Sequence, residues 1–219
     1  TQEAEFGDFA SKVDQWAPDR YLNIYTAKVA GSGSAGTSPG TVVAAYATFP
    51  GTIFWFDGIL SRADAVFGGS FDDGWALNHE IGHYLGLLHP WGGGQVDTEC
   101  GDDGITDTPV TAGSFACDLD KDECEPGVIE NVQNFMDYCS CGLPQMFTTE
   151  QSSYMREQLL FERPLLATPS NLAFTGTDVT SAPECAPVAD FHAGRSFVCV
   201  GDNVQFFDDS YQANGYTLS

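Results

Sequence analysis

Residues 21–29, running from Tyr21 through Asn23, Tyr25 and Ala27 to Val29, alternate as a half-buried strand does and then break into a Gly/Ser-rich loop over 31–40. A second β-rich run over 41–49 stops at Pro50 and Gly51, and a third apolar stretch, 52–60, is punctuated by Asp57 and Gly58. Ahead of them Phe6, Phe9, Val13 and Trp16 recur at spacings of three and four, which predicts an amphipathic helix over 5–16. The period turns helical again over 74–88. Residues 90–133 then carry little periodicity and much Gly, Asp, Pro and Cys, a length of irregular chain that needs staples or ions inside a compact domain. Thr148, Thr149, Glu150 and Gln151 form a capped helix start, followed by the apolar Tyr154, Met155, Leu159 and Leu160 and bounded by Pro164. Beyond Leu166 the composition shifts to Thr, Ser, Pro and Gly, and short β-type runs follow at 196–200 and 203–207. The expected division is a domain over 1–168, a linker over 169–182 and a partial β module over 183–219.

With 219 residues, 42% hydrophobic and 13% aromatic, the chain can bury a sizeable core. Eight Lys and Arg against 31 Asp and Glu leave a net charge of −23, a field that repels phosphate backbones and anionic headgroups. Nucleic acid is therefore not an expected partner, nor is membrane insertion, since no stretch has the apolar length of a span. The start, Thr1 to Glu5, lacks the basic-then-apolar order of a signal peptide, so a processed, soluble form is expected. Seven cysteines without a C-x-x-C pair imply an oxidising, extracellular setting and leave one thiol over.

The densest chemistry lies over 79–89. His79 and His83, four apart, share one helix face with Glu80 beside the first, so both imidazoles can reach one ion. On a continuing helix His89 would sit roughly 15 Å along the axis from His79 and on another side. Gly86, lacking Cβ, can take positive φ and turn the chain so that His89 comes back to the same ion. Three neutral imidazoles with one open position are the ligand set of a catalytic zinc. The metal lowers the pKa of a bound water to about 7, and Glu80 can take its proton as the water attacks a polarised carbonyl, which is peptide hydrolysis without a covalent intermediate.

This extended motif resembles the signature of the metzincin metalloproteases. The sequence Asn134, Phe135, Met136, Asp137, Tyr138 is similar to the methionine turn of the pappalysin branch, the secreted proteases of the ulilysin and cytophagalysin type. The segments at 46–50, 57–58, 107–109 and 147–151 resemble the same branch, so the likeness covers residues 1 to about 168. It implies an α/β metzincin fold: a twisted mixed five-stranded sheet with the active-site helix, then an irregular C-terminal subdomain with the methionine turn and a final helix. It implies Met136 as an apolar floor beneath the histidines and Tyr138 near the zinc assisting the oxyanion, although a tyrosine here also reads as one hydrogen-bonded within its loop. Calcium is implied at Asp103, Asp107 and Thr108, with Asp97 and Asp102 as further ligands; the same loop also reads as a solvated acidic face. Crossed disulfides Cys100–Cys124 and Cys117–Cys141 are implied, with Cys139 adjacent and able to replace Cys141, and Cys185 and Cys199 able to pair in the tail. An inhibitory propeptide in a zymogen precursor, and protein or peptide substrates, follow from the same likeness.

Some relatives cut before Lys or Arg because an acidic residue after the methionine turn lines the pocket, whereas 139–147 here holds no Asp or Glu. The tail from Ala186 resembles the opening of a PKD-type β-sandwich. The residues also admit two rivals: a calcium-dependent adhesion protein, suggested by the acidic loop and β fragment, and a zinc amidase acting on cell-wall peptides.

Overall fold

The predicted first two strands both form, and both bend. In the computed structural model, which describes residues 6–7, 12, 14–31, 42–51, 56–66, 75–139, 145–178, 191–193 and 206–208, the first is β2 (Ile24–Ala27) and β3 (Val29–Gly31), separated at Lys28. The second is β4 (Val42–Val43) and β5 (Ala45–Ala47), separated at Ala44. Beyond the bends β3 and β4 pair antiparallel, Ala30 opposite Val43. Before them β2 and β5 part to admit β6 (Ile59–Arg62), which runs parallel to β2 and antiparallel to β5. Ile59, Leu60 and Ser61 of this inserted strand are all buried. β1 (Phe6–Gly7) pairs parallel with β3.

The six described strands up to Arg62 therefore form two three-stranded sheets, β1-β3-β4 and β2-β6-β5, where one sheet of five was expected; the bends at Lys28 and Ala44 split the ladder. The helix expected over 5–16 is also corrected. Phe6 and Gly7 are in a strand, Asp14 has φ +55° and 15–17 are irregular, so pairing at the sheet edge overrides the local helical period.

After the one-turn α1 (Ala63–Val66) comes α2 (Trp75–Tyr84), packed on β5 and β6. Its buried stripe, Ala76, His79, Glu80 and His83, follows the helical repeat but places polar side chains on the core side. The long irregular stretch follows, then α3 (Thr149–Glu162), whose capping box between Thr148 and Gln151 is present as the sequence suggested. α4 (Pro169–Thr175) occupies the start of the segment expected to be a linker: Thr168 Oγ1 accepts from the Asn171 amide, and Pro169 supplies a preset φ at the first helical position.

By its internal contacts the chain divides into Thr1–Asn171 and Leu172–Ser219. In the second unit β7 (Phe191–Ala193) and β8 (Phe206–Asp208) pair antiparallel. The run at 196–200 and Cys185 and Cys199 lie outside the described residues. No helix among the described residues is long and apolar enough to cross a membrane.

Candidate metal centre

α2 ends in a turn that places the third histidine. The Gly86 amide donates to His83 O at 2.9 Å and the Leu87 amide to Gly82 O at 2.9 Å, the paired bonds of a glycine-closed helix end, with Gly86 at φ +91°. The chain reverses there, and His89 Nε2 arrives 3.2 Å from His79 Nε2 and 3.1 Å from His83 Nε2. His79, His83 and His89 are the one group of three or more metal-ligating side chains that converges among the described residues.

The protonation states follow from the second nitrogen of each ring. His79 Nδ1 lies 2.8 Å from Phe135 O and His83 Nδ1 2.7 Å from Leu87 O. A carbonyl accepts only, so both Nδ1 atoms carry the proton and both Nε2 atoms present lone pairs. Burial and the neighbouring imidazoles push His79 well below the usual histidine range, burial lowers His83, and burial with His83 beside it brings His89 down to about 3. Three neutral rings thus aim their ε-nitrogens at one another, and a proton on His89 could satisfy only one of the two contacts. A tetrahedral ion with bonds of about 2.0–2.1 Å has nitrogen–nitrogen edges of roughly 3.3 Å, so the donor set fits zinc.

Glu80 is buried, and one carboxylate oxygen, Oε2, has no hydrogen-bond partner in the structure. Burial raises its pKa to about 8 against the opposing effects of the Ala47 amide, which hydrogen-bonds it, and of Lys12. Beneath α2, Met136 is fully buried, and a Cβ at Gly82 would collide with its Sδ. The turn holding Met136 is closed by Asn134, whose Oδ1 accepts from the Met136 amide at 2.9 Å and whose side-chain amide reaches Gln151 of α3. Tyr138 places its ring 4.9 Å from His89 and 5.6 Å from His79, and burial keeps its phenol protonated. The three histidines, Glu80 and Tyr138 border a cavity of about 620 Å³.

The carboxylates of the acidic loop, implied as calcium ligands, take partners nearby. Asp107 caps α3, accepting from Thr148 Oγ1 at 2.6 Å and from the Glu150 amide at 2.9 Å. Asp102 and Asp103 accept from the amides two residues on, and Thr108 donates to Asp103. Asp97, at φ +62°, lies 3.9 Å from the Lys121 ammonium. Among the described residues no three of these carboxylates converge on a point. Cys100 is bridged to Cys124. Cys117 is bridged to Cys139, where Cys141, which lies outside the described residues, was implied: the 114–117 turn is tied to the turn holding Met136 by the Ser114 amide donating to Asp137 Oδ1, and the Cα atoms of Cys117 and Cys139 are 5.5 Å apart.

Sequence reasoning missed the carbonyls of Phe135 and Leu87, since any residue type supplies a carbonyl. It also missed Glu130, fully buried and accepting from Thr111 Oγ1 and from the Glu123 and Cys124 amides, with Lys121 at 3.6 Å. A lysine and a glutamate nine apart in irregular chain carry no pattern that marks them as buried.

Residues 7–160 match the Peptidase_M43 family, described as that of pregnancy-associated plasma protein-A. An extracellular metalloprotease of Colletotrichum graminicola is 35% identical over 130 residues, 53% of this chain and 45% of the relative. Extracellular metalloprotease 1 of Coccidioides posadasii is 34% identical over 110 residues, 48% of this chain and 38% of the relative. The chain thus spans less than half the length of these relatives. Among solved structures, mirolysin in complex with compound 9 superposes with a TM-score of 0.61 at 25% identity, covering 74% of this chain and 65% of that one. Mature mirolysin of Tannerella forsythia in complex with a cleaved peptide gives 0.56 at 28%, covering 72% and 60%, and a promirolysin mutant of the same organism gives 0.54 at 28%, covering 69% and 51%.

Proposed function

Since the chain belongs to the Peptidase_M43, or pappalysin, family, we propose that it is a secreted zinc endopeptidase that hydrolyses peptide bonds with Glu80 as general base. The observation that carries this reading is the convergence of three buried, neutral imidazoles through their Nε2 atoms. His79, His83 and His89 would hold the metal, which when bound supplies a Lewis acid for a carbonyl oxygen and acidifies water.

The remaining work belongs to the protein. The carbonyls of Phe135 and Leu87 fix the tautomers of His79 and His83 and hold both rings in place. Glu80 is kept dry and held by the Ala47 amide, with Oε2 left open. Beside a cation this carboxylate is drawn back toward its ionised form, so it takes a proton at Oε2 from the attacking water and returns it to the leaving amine. Tyr138, protonated and beside two of the imidazoles, is placed to donate to the developing oxyanion. Met136 acts through packing beneath α2. Extracellular action is supported by two disulfides and by relatives named extracellular metalloproteases. A pro-form among the structural neighbours supports a precursor held inactive by a propeptide.

The test is digestion of an unfolded protein. Chelation is expected to abolish cleavage and added zinc to restore it, while Glu80→Ala should keep the fold and zinc content but lose activity by at least about 10²-fold. Undiminished cleavage by Glu80→Ala would remove the assigned role of that residue.

A further inference from the structure

Phe115 is 63% exposed at the mouth of the cavity, yet its backbone is fastened on both sides. The Ser114 amide donates to buried Asp137 Oδ1 at 2.8 Å, and the Ser114 hydroxyl donates to Ala116 O at 2.7 Å. Gly113 O accepts from Lys121 Nζ, and Cys117 is bridged to Cys139. The Phe115 ring stacks on Tyr138 at 5.5 Å and 23°, and Tyr138 lies against His79 and His89, so a line of rings leads from solvent to the metal-binding imidazoles. An aromatic ring left in water forgoes the gain from burial, and fastening it there makes the exposed face available to whatever enters the cavity.

The bent strand that lines the same cavity is largely apolar too, contributing Val43, Ala44, Ala45, Tyr46 and Ala47, with Phe49 just beyond it. Among the described lining residues Glu80 is the sole carboxylate, and there is no Lys or Arg. This local lack of acid contrasts with the net charge of −23. A lysine or arginine side chain of a peptide would lose its water here and find no counter-charge other than Glu80, which is already committed to proton transfer. A large uncharged side chain loses little and gains contact with the ring.

We propose that the cavity selects peptides carrying a large uncharged side chain, aromatic or aliphatic, next to the cleaved bond, and that Phe115 is the specificity-determining residue against which that side chain packs. The inference rests on the peptidase reading above and deepens it.

The test uses the zinc-loaded full chain and a set of peptides differing only in Phe, Leu, Ala, Lys or Arg beside the cleaved bond, whose position is first mapped by library digestion. Binding of the same peptides, fluorescently labelled, is measured on the zinc-loaded Glu80→Ala protein. Phe and Leu peptides are expected to exceed Lys and Arg peptides by about tenfold in kcat/KM and in affinity. Phe115→Ala should remove about that factor for Phe and Leu while leaving Ala peptides within about twofold, and Phe115→Glu should shift preference toward Lys and Arg. A wild-type preference for Lys or Arg, or an equal loss across all five peptides in Phe115→Ala, would overturn the proposal. Selective binding of Phe and Leu peptides without any hydrolysis would keep the selectivity and remove the peptidase reading. Hydrolysis with basic preference would do the opposite.

Discussion

Gly86 shows how one residue can govern a metal site. Its φ of +91° is strained for any L side chain, and an added Cβ would come to 3.0 Å from Gln158 Cγ and 3.2 Å from Tyr154 Cε1 of α3. Gly86→Ala is expected to cost about 1–3 kcal/mol in backbone strain and to displace His89, so zinc retained after dialysis should fall along with the melting temperature. Asp137 offers a pH test. Its Oδ1 accepts from the Ser114 and Tyr138 amides, but Oδ2 is buried without a partner, and burial lifts the group from 3.8 to about 6. The folded state therefore holds a proton that the unfolded chain releases at lower pH. The associated stability, on the order of 3 kcal/mol, is complete below about pH 4 and is lost as pH rises through 6. Urea unfolding across pH 4–7 should show Asp137→Asn lacking that part of the decline seen in the wild type. The same residue stands in the motif quoted from the sequence, which named it without exposing its second oxygen as an orphan, because burial from every side is not a local property.

Elements are joined here by a buried ion pair with no local signature. Arg163, just past the end of α3, forms a two-pronged pair with Asp57, with both side chains less than one tenth exposed. Its Nε donates to Tyr84 O at the last residue of α2, and its guanidinium lies 3.5 Å from the Tyr84 ring centroid. Thr48 Oγ1 completes the cluster by donating to Asp57. Removing either partner strands a buried charge, so Arg163→Met or Asp57→Asn is expected to cost about 3–5 kcal/mol by urea unfolding. The double variant should cost less than the sum of the two, as a double-mutant cycle would show. At this scale α2 and α3 were legible, one from its repeat and one from its capping box. The stripe of Phe6, Phe9, Val13 and Trp16 misled, since helical spacing carries little weight beside a free sheet edge able to pair with Phe6 and Gly7. α4 was missed because Thr and Pro read as linker composition when they were acting as a helix cap.

Across the whole molecule the charge of −23 sets the long-range field. Cationic peptides should be hydrolysed with kcat/KM falling as ionic strength rises, while neutral peptides show a flat profile in the same stopped assays; equal salt dependence for both would rule out steering. On the proposed reading, encounter would depend on the acidic exterior and selection on a cavity whose described lining holds Glu80 as its one carboxylate. The identities and order of the three histidines, of Glu80 and of Gly86 were readable along the chain because one helical turn and one glycine relate them, and such short-range geometry is imposed by covalent structure and hydrogen-bond period. The carbonyl that orients His79 lies 56 residues away, and the Asp57 partner of Arg163 lies 106 residues away. Those choices, like the pairing of Cys117 with Cys139, were made by packing, since many residues along a chain could serve and tertiary contact selects among them.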